Sequence, residues 1–415
     1  MTSQGLTPGV FDPAATDYSE ISFSEAEYLA RQAKLRALME REGIEVMFVT
    51  TPDLVCWLHG FRAGWYKANG PMRYPQCYGT VLRAGEDRII NFDNPTEEPV
   101  LAVTSVCRDN RYFGDREAAP NIAFIMDELA AEGWLGGRVG MEFWSYVPNR
   151  AISEMFEAAF RERGCDVVDA SAIAREARRV KSPAEIAYIT EAVRLAEVGH
   201  QAVRDCAREG MTELALFGEV IRAMMAEGGE LSALIPIFNV CPVVDGRMIT
   251  MGHSLPGRRT MARDTMLCAD LCGVVHRYHG NTLRGHYFGE PPAAMVERYE
   301  RAAGVFDVIT GELRAGMTVG AVNQRLKRYY DSVGLSVDEG WALGYELGLS
   351  LPPDWVGDFY FHMADDRYLD RVFEPGMVTN FESLFDTALI ETMVWREDGV
   401  RLLGSTPPAL SVVPL

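Results

Sequence analysis

Three carboxylates stand in stretches of sequence that give charge little to work with. Asp270 lies inside TMLCADLCG, Glu382 inside MVTNFESLFD and Glu391 inside ALIETMVW, each in an apolar, strand-like run. Burying a lone carboxylate costs several kcal/mol, so each needs a partner or a ligand. The structural reading is an ion pair. The chemical reading is convergence, because carboxylates gathered at one place bind either metal ions or cationic substrates. Cys268 and Cys272 bracket the first acid and invite a metal reading of their own. In a strand an i, i+4 pair shares a face but lies about 13 Å apart. No CxxC or partnering His follows, so the eight cysteines read as reduced, packed thiols.

The elements that must carry these acids are legible in outline. Residues 1–20 hold turn formers without periodicity and read as an arm. From Ser24, EAEYLARQAKLRALMEREGI sets Tyr28, Leu35, Leu38 and Met39 on one helical stripe, interrupted by Gln32, before the strand-like VMFVT. VLRAGEDRIINF reads as a hairpin turning at Gly85, and RAISEMFEAAFRERG as a helix closed by Gly164. These make an α/β domain over residues 21–175.

A second domain, 176–415, opens at VKSPAEIAYI, where Ser182, Pro183 and Glu185 supply an N-cap, a first-turn proline and a capping-box glutamate. A second helix follows REGMT. The order then recurs: a helix over 296–313, RAGMT at 314–318, the helix VNQRLKRYYDSVGL and mixed strand-like sequence. Recurrence of helix, GMT, helix, strand indicates a duplicated half-domain. Two such halves sandwich a curved sheet and leave a cleft at their junction.

The chain has 415 residues, 48% apolar and 24% charged, with 40 Lys plus Arg against 59 Asp plus Glu. This is globular composition, and a net charge of −19 argues against nucleic acid or an anionic membrane as partner. With no run of about 18 apolar residues and no secretory signal, a cytoplasmic protein is expected.

KSPAEI, EPGMVTNFE and IETMVWREDG, in that order, resemble the pita-bread fold shared by creatinase, prolidase, aminopeptidase P and methionine aminopeptidase. FSEAEYLARQAKLRALMEREGIEVMFVT is similar to the start of the creatinase and prolidase N-terminal domain. The resemblance implies an α/β (α+β) protein: a creatinase-like N-terminal domain, then a C-terminal pita-bread domain with an internally duplicated helix-helix-sheet half. Metallopeptidases of this fold hold two metal ions with two Asp, one His and two Glu. Carried over by position, Asp270, Glu382 and Glu391 remain, while the second Asp falls on Asn281 and the His on Tyr345. An amide and a phenol are poor ligands at neutral pH. His276, His279 and His286 lie near in sequence but do not all face one side of an extended segment.

The resemblance therefore implies the metal-independent branch, with no cofactor. The histidine matching creatinase's acid and base is His253 in MGHSLPGRR; Leu283 stands where creatinase has a second guanidinium-binding Glu. The run GYELGLSLPPDW, with Tyr345, Asp354 and Trp355, resembles the corresponding turn of ectoine hydrolase. The implied reaction is hydrolysis of an amidine or guanidine C–N bond in a small cationic or zwitterionic compound. His253, Glu382 and Tyr345 are expected to be catalytic, with Asp270, Asn281, Glu391, Asp354 and Trp355 at the substrate. A homodimer is expected, in which the loop 60–76 reaches the neighbouring cleft and brings Arg62, Trp65, Tyr66 and Arg73. The alternatives are a metal-dependent Xaa-Pro aminopeptidase or prolidase, an osmolyte lyase, and a non-catalytic binding module.

Overall fold

The computed structural model describes residues 19–62, 64, 66, 77–114 and 117–415, and divides the chain into compact units at Arg178/Arg179. The arm expected at 1–20 lies almost wholly outside the described residues, as do Trp65 and Arg73.

The first unit runs α1 (Glu25–Arg41), β1 (Val46–Val49), α2 (Pro52–His59), β2 (Gly79–Arg83), β3 (Ile89–Asp93), α3 (Glu98–Thr104), β4 (Asp109–Tyr112), α4 (Ala118–Ala131), β5 (Arg138–Met141), α5 (Arg150–Glu162), β6 (Asp166–Asp169) and α6 (Ser171–Arg179), the last ending at the boundary. Its sheet has the order β4-β3-β2-β1-β5-β6 and is mixed. Tyr28, Leu35 and Met39 of α1 are buried as the periodicity requires. Gln32 does not interrupt the stripe: it is buried too, because its amide donates to the Leu58 carbonyl at 3.0 Å.

The second unit contains α7 (Pro183–Cys206), α8 (Glu213–Ala226), β7 (Phe238–Val244), β8 (Arg247–Met248), β9 (Thr265–Val275), β10 (Tyr278–Phe288), α9 (Ala293–Ala303), α10 (Val305–Glu312), α11 (Val319–Ser332), β11 (Trp341–Tyr345), β12 (Tyr360–His362), β13 (Val378–Leu384), β14 (Leu389–Arg396), β15 (Gly399–Leu402) and β16 (Ser411–Val413). The capping box at Ser182 and Glu185 is formed in both directions. The single helix expected over 296–313 breaks at Gly304, where a side chain would collide with the Tyr329 hydroxyl.

The repeat has one physical role in both copies. Gly210 and Gly316 turn the chain at φ +79° and +89°. Thr212 and Thr318 then cap α8 and α11, each hydroxyl accepting a backbone N–H at 3.2 Å. The halves share a sheet of order β12-β11-β13-β14-β10-β9-β7-β8 and meet at the β10/β14 pair. On the outer face α7 lies directly on β9 and β10. Gly273 and Gly280 permit this, since a Cβ at either would strike the α7 backbone. Among the described residues no helix is long and apolar enough to cross a membrane.

Candidate active site

Alternation along β9 and β10 fixes what the inner face carries. Gly273 and Gly280 face α7, so Asp270 and Cys272 on β9, with His279, Asn281 and Leu283 on β10, point the other way. Register continues the face across the junction: Leu283 stands opposite Ile390, Ile390 opposite Glu382, and Glu382 opposite Leu343. Tyr345, two residues beyond Leu343, completes it.

A chain of amides holds these groups in fixed orientation. The Tyr345 N–H donates to Asn380 Oδ1 at 2.9 Å, so Asn380 must offer its nitrogen to Asn281 Oδ1, at 3.2 Å. Asn281 in turn donates to Asp270 Oδ1 at 2.6 Å. Trp355 Nε1 donates to the Tyr345 hydroxyl oxygen at 3.4 Å. Asp354 accepts from the Trp355 and Val356 N–H groups at 2.7 and 3.2 Å, and so serves the turn that presents Trp355.

The two inner carboxyls resist ionising. Burial lifts Asp270 to about 6, against the pull of Asn281. Burial and then the charge of Asp270 lift Glu382 to about 8, against hydrogen bonds from Trp341 and Asn380. Near neutral pH the pair holds one proton and one negative charge between them. Burial, then Glu382 and Asp270, push the Tyr345 phenol well above its ordinary range, so it stays a proton donor. Sequence reasoning missed Asn380 and an aromatic border: Tyr360 pairs with Tyr345 and His362 with Leu343 across β11/β12, and Trp341 lies edge-on to His362 at 5.0 Å. Rings beside a carboxyl pair favour an organic cation. The signal available in sequence was the alternation in WALGY, which places Trp341 on the face of Tyr345.

Glu391 does not join this group. It pairs with Phe381, one residue out of step with Glu382, and therefore points to the outer face; Ile390 occupies the inner position beside Glu382. There Glu391 is bonded to Arg284, whose guanidinium also donates to the Leu283 and Ile390 carbonyls at 3.0 and 3.1 Å. Burial raises Glu391 to about 7 against the pull of Arg284. The expectation of three convergent acids is thus corrected to an inner pair and an outer ion pair. An apolar context cannot by itself distinguish the two faces of a strand buried on both.

The histidines are likewise separated. His279 is on the inner face, but both ring nitrogens are engaged: Nε2 accepts from Ala233 N at 3.0 Å, and Nδ1 donates to the Arg277 carbonyl at 2.9 Å. Burial drops its pKa to about 3. His276 is in the turn between β9 and β10, and His286 faces outward.

His253 is exposed, in the segment between β8 and β9. Asn239 on β7 stands opposite Cys268, on the face of Asp270. Its buried amide donates to the carbonyls on either side of His253, those of Gly252 and Ser254, at 3.5 and 3.2 Å. Fully buried Glu213 closes the base of this segment, accepting from Val240 N and Gly257 N at 2.7 Å and pairing with Arg259. The His253 segment is therefore tethered to the inner face. Arg62 and Tyr66 belong to the first unit, where Arg62 pairs with Glu20 at 2.7 Å.

Measured against a two-metal site, the donor set falls short. Of the five ligand positions the inner face offers carboxyls at two, an amide at Asn281 and a phenol at Tyr345, while the fifth is taken by Ile390. His279 has no nitrogen to spare. Among the described residues no three His, Cys, Asp or Glu are grouped to hold a metal ion.

Residues 31–180 match the creatinase/prolidase N-terminal domain and residues 187–402 match metallopeptidase family M24. The chain is 25% identical to ectoine hydrolase of Halomonas elongata, over 94% of this chain and 98% of that one. It is 20% identical to creatinase of a Bacillus species, over 88% and 84%. The crystal structure of an X-Pro aminopeptidase from Thermotoga maritima superposes with a TM-score of 0.73 at 16% identity, covering 92% of this chain and 99% of that one. The duplicated half-domain, the sheet joined at β10/β14 and the matched segments agree, and the chain belongs to metallopeptidase family M24, with a creatinase/prolidase N-terminal domain and a pita-bread C-terminal domain.

Proposed function

We propose that this protein is a hydrolase that works without a metal ion, cleaving an amidine or guanidine C–N bond in a small cationic or zwitterionic compound. One observation carries the reading. The inner face gathers two buried carboxyls held against ionising, a phenol and an aromatic border, which suit an organic cation, where the family's metallopeptidases need five ligands. The names of its relatives, ectoine hydrolase and creatinase, support hydrolysis of a non-peptide compound.

The substrate cation displaces the proton that Glu382 keeps near neutral pH and is held by Asp270 and Glu382. His253 takes a proton from water, whose oxygen bonds to the electrophilic carbon, and the Tyr345 hydroxyl orients the tetrahedral intermediate. The C–N bond then breaks, with the proton on His253 passing to the departing nitrogen. The loop residues Arg62, Trp65, Tyr66 and Arg73 of a second copy are proposed to meet the substrate's carboxylate in a homodimer.

The test is a panel of cyclic amidines, guanidino acids and Xaa-Pro dipeptides assayed with the wild-type chain and with His253→Ala. The expected result is turnover of an amidine or guanidino compound, with a loss of roughly 10²-fold or more in the variant. Turnover of Xaa-Pro dipeptides alone, or unchanged turnover in His253→Ala, refutes the proposal.

A further inference from the structure

The turn between β9 and β10 holds its backbone where few side chains are comfortable. Val275 pairs with Tyr278, and the two residues between them, His276 and Arg277, stand at φ +49° and +67°. A two-residue turn of this kind favours Asn and Gly. An unfavoured backbone position kept by a large side chain points to a task for that side chain. His276 packs on Tyr188 of α7, with ring centroids 4.6 Å apart. Arg277 reaches the other way.

The largely buried Arg277 guanidinium ties together segments from opposite halves of the second unit. On one side Nη1 donates to the Leu231 carbonyl at 2.8 Å and pairs with Glu230 at 3.3 Å. On the other, Nε and Nη2 both donate to the Ser350 carbonyl at 3.3 Å. Backbone bonds seat both segments against the same turn: Glu230 N to the Val274 carbonyl at 2.9 Å, Ser350 N to the Arg277 carbonyl at 3.0 Å, and His279 N to the Gly348 carbonyl at 2.9 Å. A planar guanidinium presents its donors in a fixed fork that serves both sides at once, and a lysine ammonium has no such fork.

The second of these segments leads into the candidate site. Ser350 is followed by Leu351, Pro352, Pro353, Asp354 and Trp355. Two prolines fix their own φ and stiffen this path. At its end the Trp355 ring lies 6.1 Å from that of His279, and Nε1 donates to the Tyr345 hydroxyl at 3.4 Å. Asp270, Glu382 and the aromatic border are instead carried by paired strands, β9, β13, β11 and β12.

We propose that Arg277 is a positioning residue for the reaction: by anchoring Ser350 it places Trp355, and through Trp355 it orients the Tyr345 hydroxyl. The role rests on the proposed reaction, in which that hydroxyl meets the tetrahedral intermediate. Arg277 touches no substrate and acts only through this segment.

The test is a double-mutant cycle on the full chain. Turnover of the best amidine or guanidino compound of the panel is measured for wild type, Arg277→Met, Arg277→Lys, Tyr345→Phe and Arg277→Met with Tyr345→Phe. Hydrogen–deuterium exchange of residues 230–233 and 348–356 is followed in wild type and Arg277→Met. Arg277→Met is expected to lower kcat about tenfold or more and to move KM by less than about twofold. On the Tyr345→Phe background the same change should cost less than about twofold, because the group it orients is gone. A loss of folded protein would lower both backgrounds equally. Arg277→Lys should recover less than about half of the lost kcat, and exchange should rise in both segments of Arg277→Met. Wild-type kcat in Arg277→Met, equal losses on the two backgrounds, full activity in Arg277→Lys, or unchanged exchange overturns the role of Arg277 while leaving the proposed reaction standing. A wild-type chain that turns over no compound of the panel refutes the proposed reaction, and the role of Arg277 falls with it.

Discussion

Replacing Glu382 by Gln should stabilise the protein, and only above mildly acidic pH. Burial and Asp270 raise this carboxyl from 4.5 to about 8. Below the unfolded value both states are protonated and the residue costs nothing. Between 4.5 and 8 the unfolded chain gives up the proton while the folded chain keeps it, so stability falls with rising pH, and above 8 the loss is complete. At 1.4 kcal/mol per unit the shift sets an upper bound of about 5 kcal/mol. Part of that belongs to Asp270, itself raised from 3.8 to about 6 and relieved when its neighbour is neutral, so a gain of about 2–3 kcal/mol is expected. Glutamine retains an oxygen for the Trp341 and Asn380 donors, so the substitution opens no cavity. For a unit of this size that gain is a rise in Tm of about 5–10 °C at pH 9, shrinking to nothing near pH 4. Melting both proteins from pH 4 to 9 tests this. A difference independent of pH, or a variant that melts lower at pH 9, refutes the argument that the inner carboxyls are held against ionisation.

Substrate binding should strengthen as pH rises from 6 to 9, because the cation must displace the proton that Glu382 holds up to about pH 8; KM for a guanidino substrate measured across that range checks the sign. Asn239→Ala should lower kcat by about tenfold or more with little change in KM, since it frees both carbonyls that flank His253; an unchanged kcat in a folded variant removes Asn239 from the account. Trp341→Ala should raise KM several-fold for a cationic substrate, by about 1 kcal/mol of lost cation–π contact, and leave kcat nearly intact. Arg284→Met should destabilise the second unit by about 3–5 kcal/mol by stranding Glu391, and Arg284→Met with Glu391→Leu should recover most of that in denaturant unfolding.

What could be read from the chain depended on how local the signal was. The capping box at Ser182, the GMT turns and the order of KSPAEI, EPGM and IETMVW identify the pita-bread fold because each is a short-range constraint on backbone or cap. Asp270 and Glu382 were legible as charges in apolar strands. Glu391 carried the same signature and points the opposite way, because strand pairing between β13 and β14 settles its side of the sheet and no pattern within ALIETMVW encodes that pairing. Asn380 and Tyr360 were invisible for the same reason: their importance comes from the strands beside them. Gln32 shows the converse case, a polar residue in an apolar stripe that is buried because a distant carbonyl accepts from it.

Catalysis on the inner face is proposed to rest on His253, Tyr345 and two carboxyls rather than on a metal cage. Purified protein, analysed for Mn, Co, Fe and Zn and dialysed against a chelator, measures this directly in an assay with the best substrate of the amidine and guanidino panel. The expected result is substoichiometric metal and full activity after chelation. Stoichiometric metal, with activity lost on chelation and restored by adding the ion back, would contradict it.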